Sequence, residues 1–186
     1  KSETFDVVIG FGADAKAADQ AAAATLKTGY AEVLARYNGE GAHVGWEDYL
    51  ASLSELSRLR EASEDGGKLL QASALMLKVQ EDRTYAGALI ASLSNPWGDT
   101  VDATKSSTGY KAVWPRDFYQ CAMALAALGD KVTPLAAFHY LPTVQVGPKT
   151  PGNKGDGGWF LQKSHVDGTP EWVGVQLDQT AMPIML

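Results

Sequence analysis

The chain opens on Phe5-Asp6-Val7-Val8-Ile9-Gly10-Phe11-Gly12, with apolar residues on both faces of an extended backbone. Such a run predicts a strand buried on both sides, which needs neighbouring strands to pair with. The apolar spacing then becomes helical. Leu26, Tyr30, Val33, Leu34 and Tyr37 predict one Ala-rich helix from 15 to about 37. Asn38-Gly39 and Gly41 break it. Trp46, Tyr49, Leu50, Leu53 and Leu56 predict a second amphipathic helix over 46–59. Glu64-Asp65-Gly66-Gly67 marks a boundary, and residues 68–79, apolar on most sides, predict a buried third helix.

Beyond this point the elements shorten. Residues 87–94 read as a strand-like run leading into the turn Asn95-Pro96-Trp97-Gly98-Asp99. Residues 118–128 predict a helix, with Gly129 at C′. Thr133-Pro134 predicts the next start, threonine as N-cap and proline at N1, reaching about Tyr140. A Gly/Pro/Lys loop over 147–158 is long for idle structure in a compact domain. Trp159-Phe160-Leu161 reads as a short strand, and a last helix opens near Asp178.

Composition narrows the chemistry. The 16 Lys+Arg against 22 Asp+Glu give a net charge of −6, which argues against nucleic acid as a partner. No apolar run is long enough to cross a membrane. Cys121 is the only cysteine, so no internal disulfide forms. His43, His139 and His165 are too scattered for a metal site, with His139 read as a packed helix residue. Asp99, Asp102, Asp156 and Asp167 lack calcium-loop spacing. No metal and no cofactor is implied. Gly10-Phe11-Gly12 lacks the third glycine of a dinucleotide loop, since position 15 is Ala. The full-strength opening strand and the apolar close Ala181-Met182-Pro183-Ile184-Met185-Leu186 are expected of a piece of a larger protein.

The candidate chemistry lies in Gly109-Tyr110-Lys111-Ala112-Val113-Trp114-Pro115-Arg116-Asp117. Two aromatic rings, a guanidinium and a carboxylate fall within a few residues. A sugar ring needs such a set: a flat apolar surface under its C–H face, and charged partners for its hydroxyls. On spacing alone, a local ion pair at a helix N-terminus is the better account of Arg116 and Asp117. The tryptophans favour a binding surface. Trp97, Trp114, Trp159 and Trp172 each sit beside Gly, Pro or a loop, whereas Trp46 falls in a periodic helix.

Residues 110–117, together with Glu171-Trp172-Val173-Gly174-Val175-Gln176-Leu177-Asp178-Gln179-Thr180-Ala181, resemble glycoside hydrolase family 15, the glucoamylases and glucodextranases. The bacterial-type members show Asn-Pro-Trp-Gly-Asp, Gly-Tyr-x-x-Val-Trp-Pro-Arg-Asp and a Gln-Leu-Asp helix start in this order. The resemblance is good over residues 75–186 and looser over 1–65. It implies a mainly α chain: residues 66–186 as the first four or five helices, roughly, of an (α/α)6 barrel, 1–12 as the end of an N-terminal β-sandwich, and 13–65 as a helical linker. It implies that Arg116 and Asp117 bind hydroxyls of a terminal glucose, that Tyr110 lies near the anomeric centre, and that Trp114 lines the same pocket. Trp172 would stack near the scissile bond, beside Gln176. The family inverts configuration with two glutamates, an acid and a base about 6.5–9.5 Å apart. Both lie downstream of the segment matching 176–186, so no residue here is assigned a catalytic role; Glu171 precedes the tryptophan, where the family has no acid. The implied partners are an α-glucan or isomalto-oligosaccharide substrate, glucose as product, and the remainder of the same polypeptide. The alternatives are an α-1,6-specific glucodextranase and a chain that only binds carbohydrate or packs on a partner. The family also implies an extracellular location.

Overall fold

The computed structural model describes residues 3–94, 109–151, 153 and 155–186. The expected turn at 95–99 with Trp97, and the carboxylates Asp99 and Asp102, lie outside them. The chain is mainly helical and divides into two compact units, Lys1–Ser52 and Leu53–Leu186.

In the first unit, α1 (Ala15–Thr28), α2 (Tyr30–Asn38) and α3 (Trp46–Ser52) follow one another. Asp14 caps α1 by accepting from the Ala17 N–H at 2.7 Å. The single helix expected over 15–37 is two. Gly29 stands between them at φ 84° and ψ 153°, a conformation essentially reserved for glycine, and its N–H closes α1 on the Thr25 carbonyl. The expected opening strand is not formed. Residues 3–12 carry no strand or helix, and Phe5, Val7, Ile9 and Phe11 are 75–84% exposed. Val8 and Gly10 turn the other way and are half-buried. A strand is completed by its neighbour's backbone groups, and among the described residues no neighbour supplies them.

In the second unit, α4 (Leu56–Glu61) and α5 (Lys68–Lys78) precede the core pair, α6 (Pro115–Ala127) and α7 (Thr133–Val144). β1 (Lys163–Ser164), β2 (Pro170–Trp172), α8 (Leu177–Ala181) and a 3-10 turn (Met182–Met185) complete it. The helix expected over 46–59 is thus interrupted before Leu56. Phe118, Ala122 and Leu125 of α6 meet Ala137, Tyr140 and Val144 of α7, with Ala88, Leu89, Val113 and Phe160 closing the core. The Phe118 and Tyr140 rings lie 5.9 Å apart, and the Tyr140 hydroxyl donates to the Val166 carbonyl at 2.8 Å. Burial raises the Tyr140 hydroxyl pKa, so it remains a donor. Burial likewise pushes the Cys121 thiol up to about 11, which keeps it an unreactive core group.

Four expectations fail here. Helix α5 is not buried: Leu69 is 73% and Met76 55% exposed, and only Ala74 is enclosed. Helix α7 is not capped by Thr133. The Asp130 carboxylate, three residues before Thr133, accepts from the N–H groups of Val132 and Thr133, both at 2.9 Å, and from the Thr133 hydroxyl at 2.7 Å. The helix then runs through Pro142 to Val144. The short strands at 87–94 and 159–161 exist only as single bridges, Leu89 with Glu81 and Phe160 with Gln145. His139 is exposed on α7, its ring 5.7 Å from that of Phe138, and is not a packed residue.

Gly87 has φ 82°, and a Cβ there would stand 2.2 Å from the Ala136 carbonyl oxygen. Gly66 has φ 65° with open space around it. Gly87→Ala therefore combines left-handed strain with a backbone clash against the core helix, and is expected to cost about 3 kcal/mol or more in urea unfolding. Gly66→Ala carries strain alone, at about 1 kcal/mol. Equal costs would show that α7 yields to the added methyl group.

Candidate functional site

The segment before α6 is held on both sides. The Tyr110 and Ala112 carbonyls accept from the N–H groups of Ser92 and Ala91 at 3.1 and 3.0 Å. Val113 and Ser164 exchange two backbone bonds, at 2.9 and 3.0 Å. This patchwork delivers Trp114 to the N-cap of α6, where its side chain makes no capping bond. Pro115 follows at N1, and it has no N–H to satisfy.

The first N–H of α6 belongs to Arg116, and it donates to Gln179 Oε1 at 2.8 Å. Gln179 is fully buried, and its Nε2 donates to Gln176 Oε1 at 3.3 Å. A side chain from the start of α8 thus does what a local N-cap does elsewhere. The neighbouring Asp178 takes the Arg116 side chain: Nη1 donates to Asp178 Oδ2 at 2.9 Å. On the other side, Arg116 Nη2 lies 3.4 Å from Asp117 Oδ2. The Asp178 hydrogen bond raises the Arg116 pKa, with the Asp117 charge adding to it. Reciprocally, Arg116 holds the Asp178 carboxyl below the usual carboxylate range.

Asp117 differs from Asp178. Its side chain is 38% exposed, yet its inner oxygen Oδ2 is buried and receives no hydrogen bond. It has the Arg116 charge nearby but no donor aimed along a lone pair. Such a group is a prepared acceptor on a cluster that otherwise reaches the surface.

The aromatic residues flank this cluster unequally. Tyr110 is 38% exposed, its ring 5.8 Å from that of Trp114 and tilted by 56°. Trp114 is nearly buried at 8%, with the Lys163 ammonium 5.0 Å from its ring centre. Trp172 lies on β2 opposite Lys163 and is 57% exposed. Of the six residues singled out in the sequence, Arg116, Asp117 and Gln176 are joined through Asp178 and Gln179. Tyr110 and Trp114 stack on each other just before them, and Trp172 is tied in through the β1–β2 pair. Clefts of about 300, 470 and 600 Å³ are lined by other residues.

Sequence reasoning missed Asp178, Gln179 and Lys163 as partners. On sequence Asp178 reads only as a helix start. Its clue is the Gln-Leu-Asp-Gln run, which presents polar groups on successive sides of one short turn. Glu171 offers no free acid, since it is 5% exposed and engaged by Lys163 and His165.

The Asp178 pair has a defined pH signature. A carboxyl whose folded pKa is depressed stabilises the fold above its unfolded pKa, about 3.9, and loses that contribution as pH falls through the lower folded value. Wild type is therefore expected to melt above Asp178→Asn at pH 6, with the gap closing as pH falls below about 3.9 and through the lower folded value. A gap that persists unchanged in acid would show that Arg116 does not hold the Asp178 carboxylate.

Two family models match the chain. Glycosyl hydrolases family 15 covers residues 64–186, and glucodextranase domain N covers residues 1–51. The second ends, to within a residue, where the first compact unit ends. A glucoamylase of Clostridium sp. (strain G0005) is 34% identical over 186 residues, all of this chain and 24% of that protein. The chain thus spans about a quarter of the length of the relative it matches. With its sugar-type motif seated at the start of α6 and the family match running from residue 64 through both halves of that cluster, the chain belongs to glycosyl hydrolase family 15.

Proposed function

We propose that the protein is a glucoamylase-like glucan hydrolase, and that this chain carries the side of its site that recognises a terminal glucose. The observation that carries the reading is Asp117: a carboxylate beside a fixed guanidinium, with a buried oxygen that no donor satisfies, in a chain of family 15. A glucose ring offers adjacent hydroxyl donors for such a carboxylate. Arg116 has five N–H donors, more than the contacts to Asp178 and Asp117 use, and can donate to a sugar oxygen. The exposed ring of Tyr110 gives an apolar face for the sugar C–H groups, with Trp114 behind it. Trp172, more than half exposed, is assigned to the sugar on the other side of the scissile bond, and Gln176 to its polar edge.

In this reading the enzyme is exo-acting. It releases β-glucose with inversion, through a general acid and a water-activating base assigned to glutamates beyond Leu186. This chain binds and orients: Asp117 and Arg116 fix the ring, and the aromatic residues set its plane. A polymeric glucan does not cross a membrane intact, which fits a protein that acts outside the cell.

Each charge-assisted hydrogen bond contributes about 1.5–3 kcal/mol, and Asp117 is assigned two hydroxyls. Asp117→Ala in the full-length protein is therefore expected to lower kcat/KM for maltose by about a hundredfold or more. The assay is glucose release under steady-state conditions, with circular dichroism to check the fold. A variant within a few fold of wild type removes Asp117 from the site.

A further inference from the structure

Lys163 carries a full charge at 3% exposure, directly behind the aromatic side of the site. A buried charge costs several kcal/mol unless it is paired closely, so its partner matters. That partner is Glu171, itself 5% exposed, whose Oε1 accepts from Lys163 Nζ. The pairing depends on an irregularity in the hairpin. Lys163 stands opposite Trp172, but Ser164 stands opposite Pro170, so the register shifts by one residue at Glu171. A bulge of this kind re-aims a side chain. Here it accompanies a Glu171 side chain buried against Lys163, while its neighbour Trp172 remains exposed. The second Glu171 oxygen lies 3.5 Å from His165 Nε2.

The same ammonium lies 5.0 Å from the Trp114 ring centre, within range of a cation–π contact, which is strongest when desolvated. One buried cation thus touches the ring next to Arg116 and anchors the hairpin that carries Trp172.

We propose that Lys163 and Glu171 are positioning residues for the sugar site: their ion pair fixes the plane of Trp114 and, through the bulge, the seat of Trp172. This rests on the reading of Arg116, Asp117 and the flanking rings as a glucose-recognition surface. Neither charge reaches the surface to touch a ligand; both act through the aromatic side chains. A purely stabilising pair would behave differently, because well-packed apolar residues of similar size replace a buried ion pair with little loss of stability. They supply no preferred orientation to an indole ring.

The test uses full-length protein, with glucose release from maltose and isomaltose read beside the melting temperature. Lys163→Met is expected to lower the melting temperature, because it removes the cation paired with the buried Glu171 carboxylate. Lys163→Met combined with Glu171→Met is expected to recover most of that loss. Its KM nevertheless stays raised about tenfold, with kcat within about threefold, the pattern of lost binding rather than lost chemistry. A double variant that recovers both melting temperature and KM overturns the positioning role and leaves the sugar-site reading standing. Should that variant not fold, a cycle between Glu171→Gln and Trp114→Leu carries the decision. Non-additive effects on KM support action through the ring, and additive effects overturn it. Wild-type protein that releases glucose from neither sugar overturns the sugar-site reading, and this inference with it.

Discussion

Helix α6 begins with no cap of its own, and the second unit is organised around that deficit. Trp114 at the N-cap offers no acceptor, Pro115 has no N–H, and the first donor that needs a partner is the Arg116 N–H. Gln179 supplies it from a position 63 residues later, and Gln179 is buried completely to do so. A buried amide has few alternatives to the partners it finds, because an unsatisfied one is costly. The bond therefore fixes the start of α8 against the start of α6. Asp178, next in the chain to Gln179, is carried to the Arg116 guanidinium by the same placement. Capping and electrostatic preorganisation are one event here.

This explains which features the sequence carried plainly. Arg116 and Asp117 are adjacent, and their neighbours Trp114 and Pro115 mark a helix start by local chemistry. No tertiary knowledge is needed to see a charged pair flanked by rings. The partners of that pair are a different matter. Nothing periodic in residues 176–181 says that Gln179 faces inward and Asp178 sideways, because five helical residues are too few to establish a face. The Asp130 cap on α7 escaped for a similar reason. A threonine followed by proline satisfies the usual start rule, yet a carboxylate three residues earlier reached both N–H groups.

The misread elements share another cause: apolar pattern reports what a segment is able to bury, not what covers it. Residues 7–11 alternate in exposure, yet residues 5–11 form no ladder among the described residues. Helix α5 carries Leu69 and Met76 outward. In the Ala-rich stretch from 15 to 37, Gly29 looked like one weak helical residue among many strong ones. Its φ of 84° makes it a full stop.

Two ion pairs lie close together and have opposite characters, and burial decides which does what. Arg116 and Asp178 are each 35–40% exposed, so water and salt compete for them and their pairing adds little to the stability of the fold. A ligand hydroxyl can enter such a cluster by replacing water, at little cost to the fold. Lys163 and Glu171 are about 5% exposed and have no water to return to. Separating them leaves a buried cation without its carboxylate, at several kcal/mol, so that pair does not exchange partners. In the proposed reading the exposed cluster recognises the sugar, and the buried pair holds the shape of the surface behind it. The Trp114 ring lies 5.8 Å from that of Tyr110 and 5.0 Å from the Lys163 ammonium, so it meets the buried pair directly.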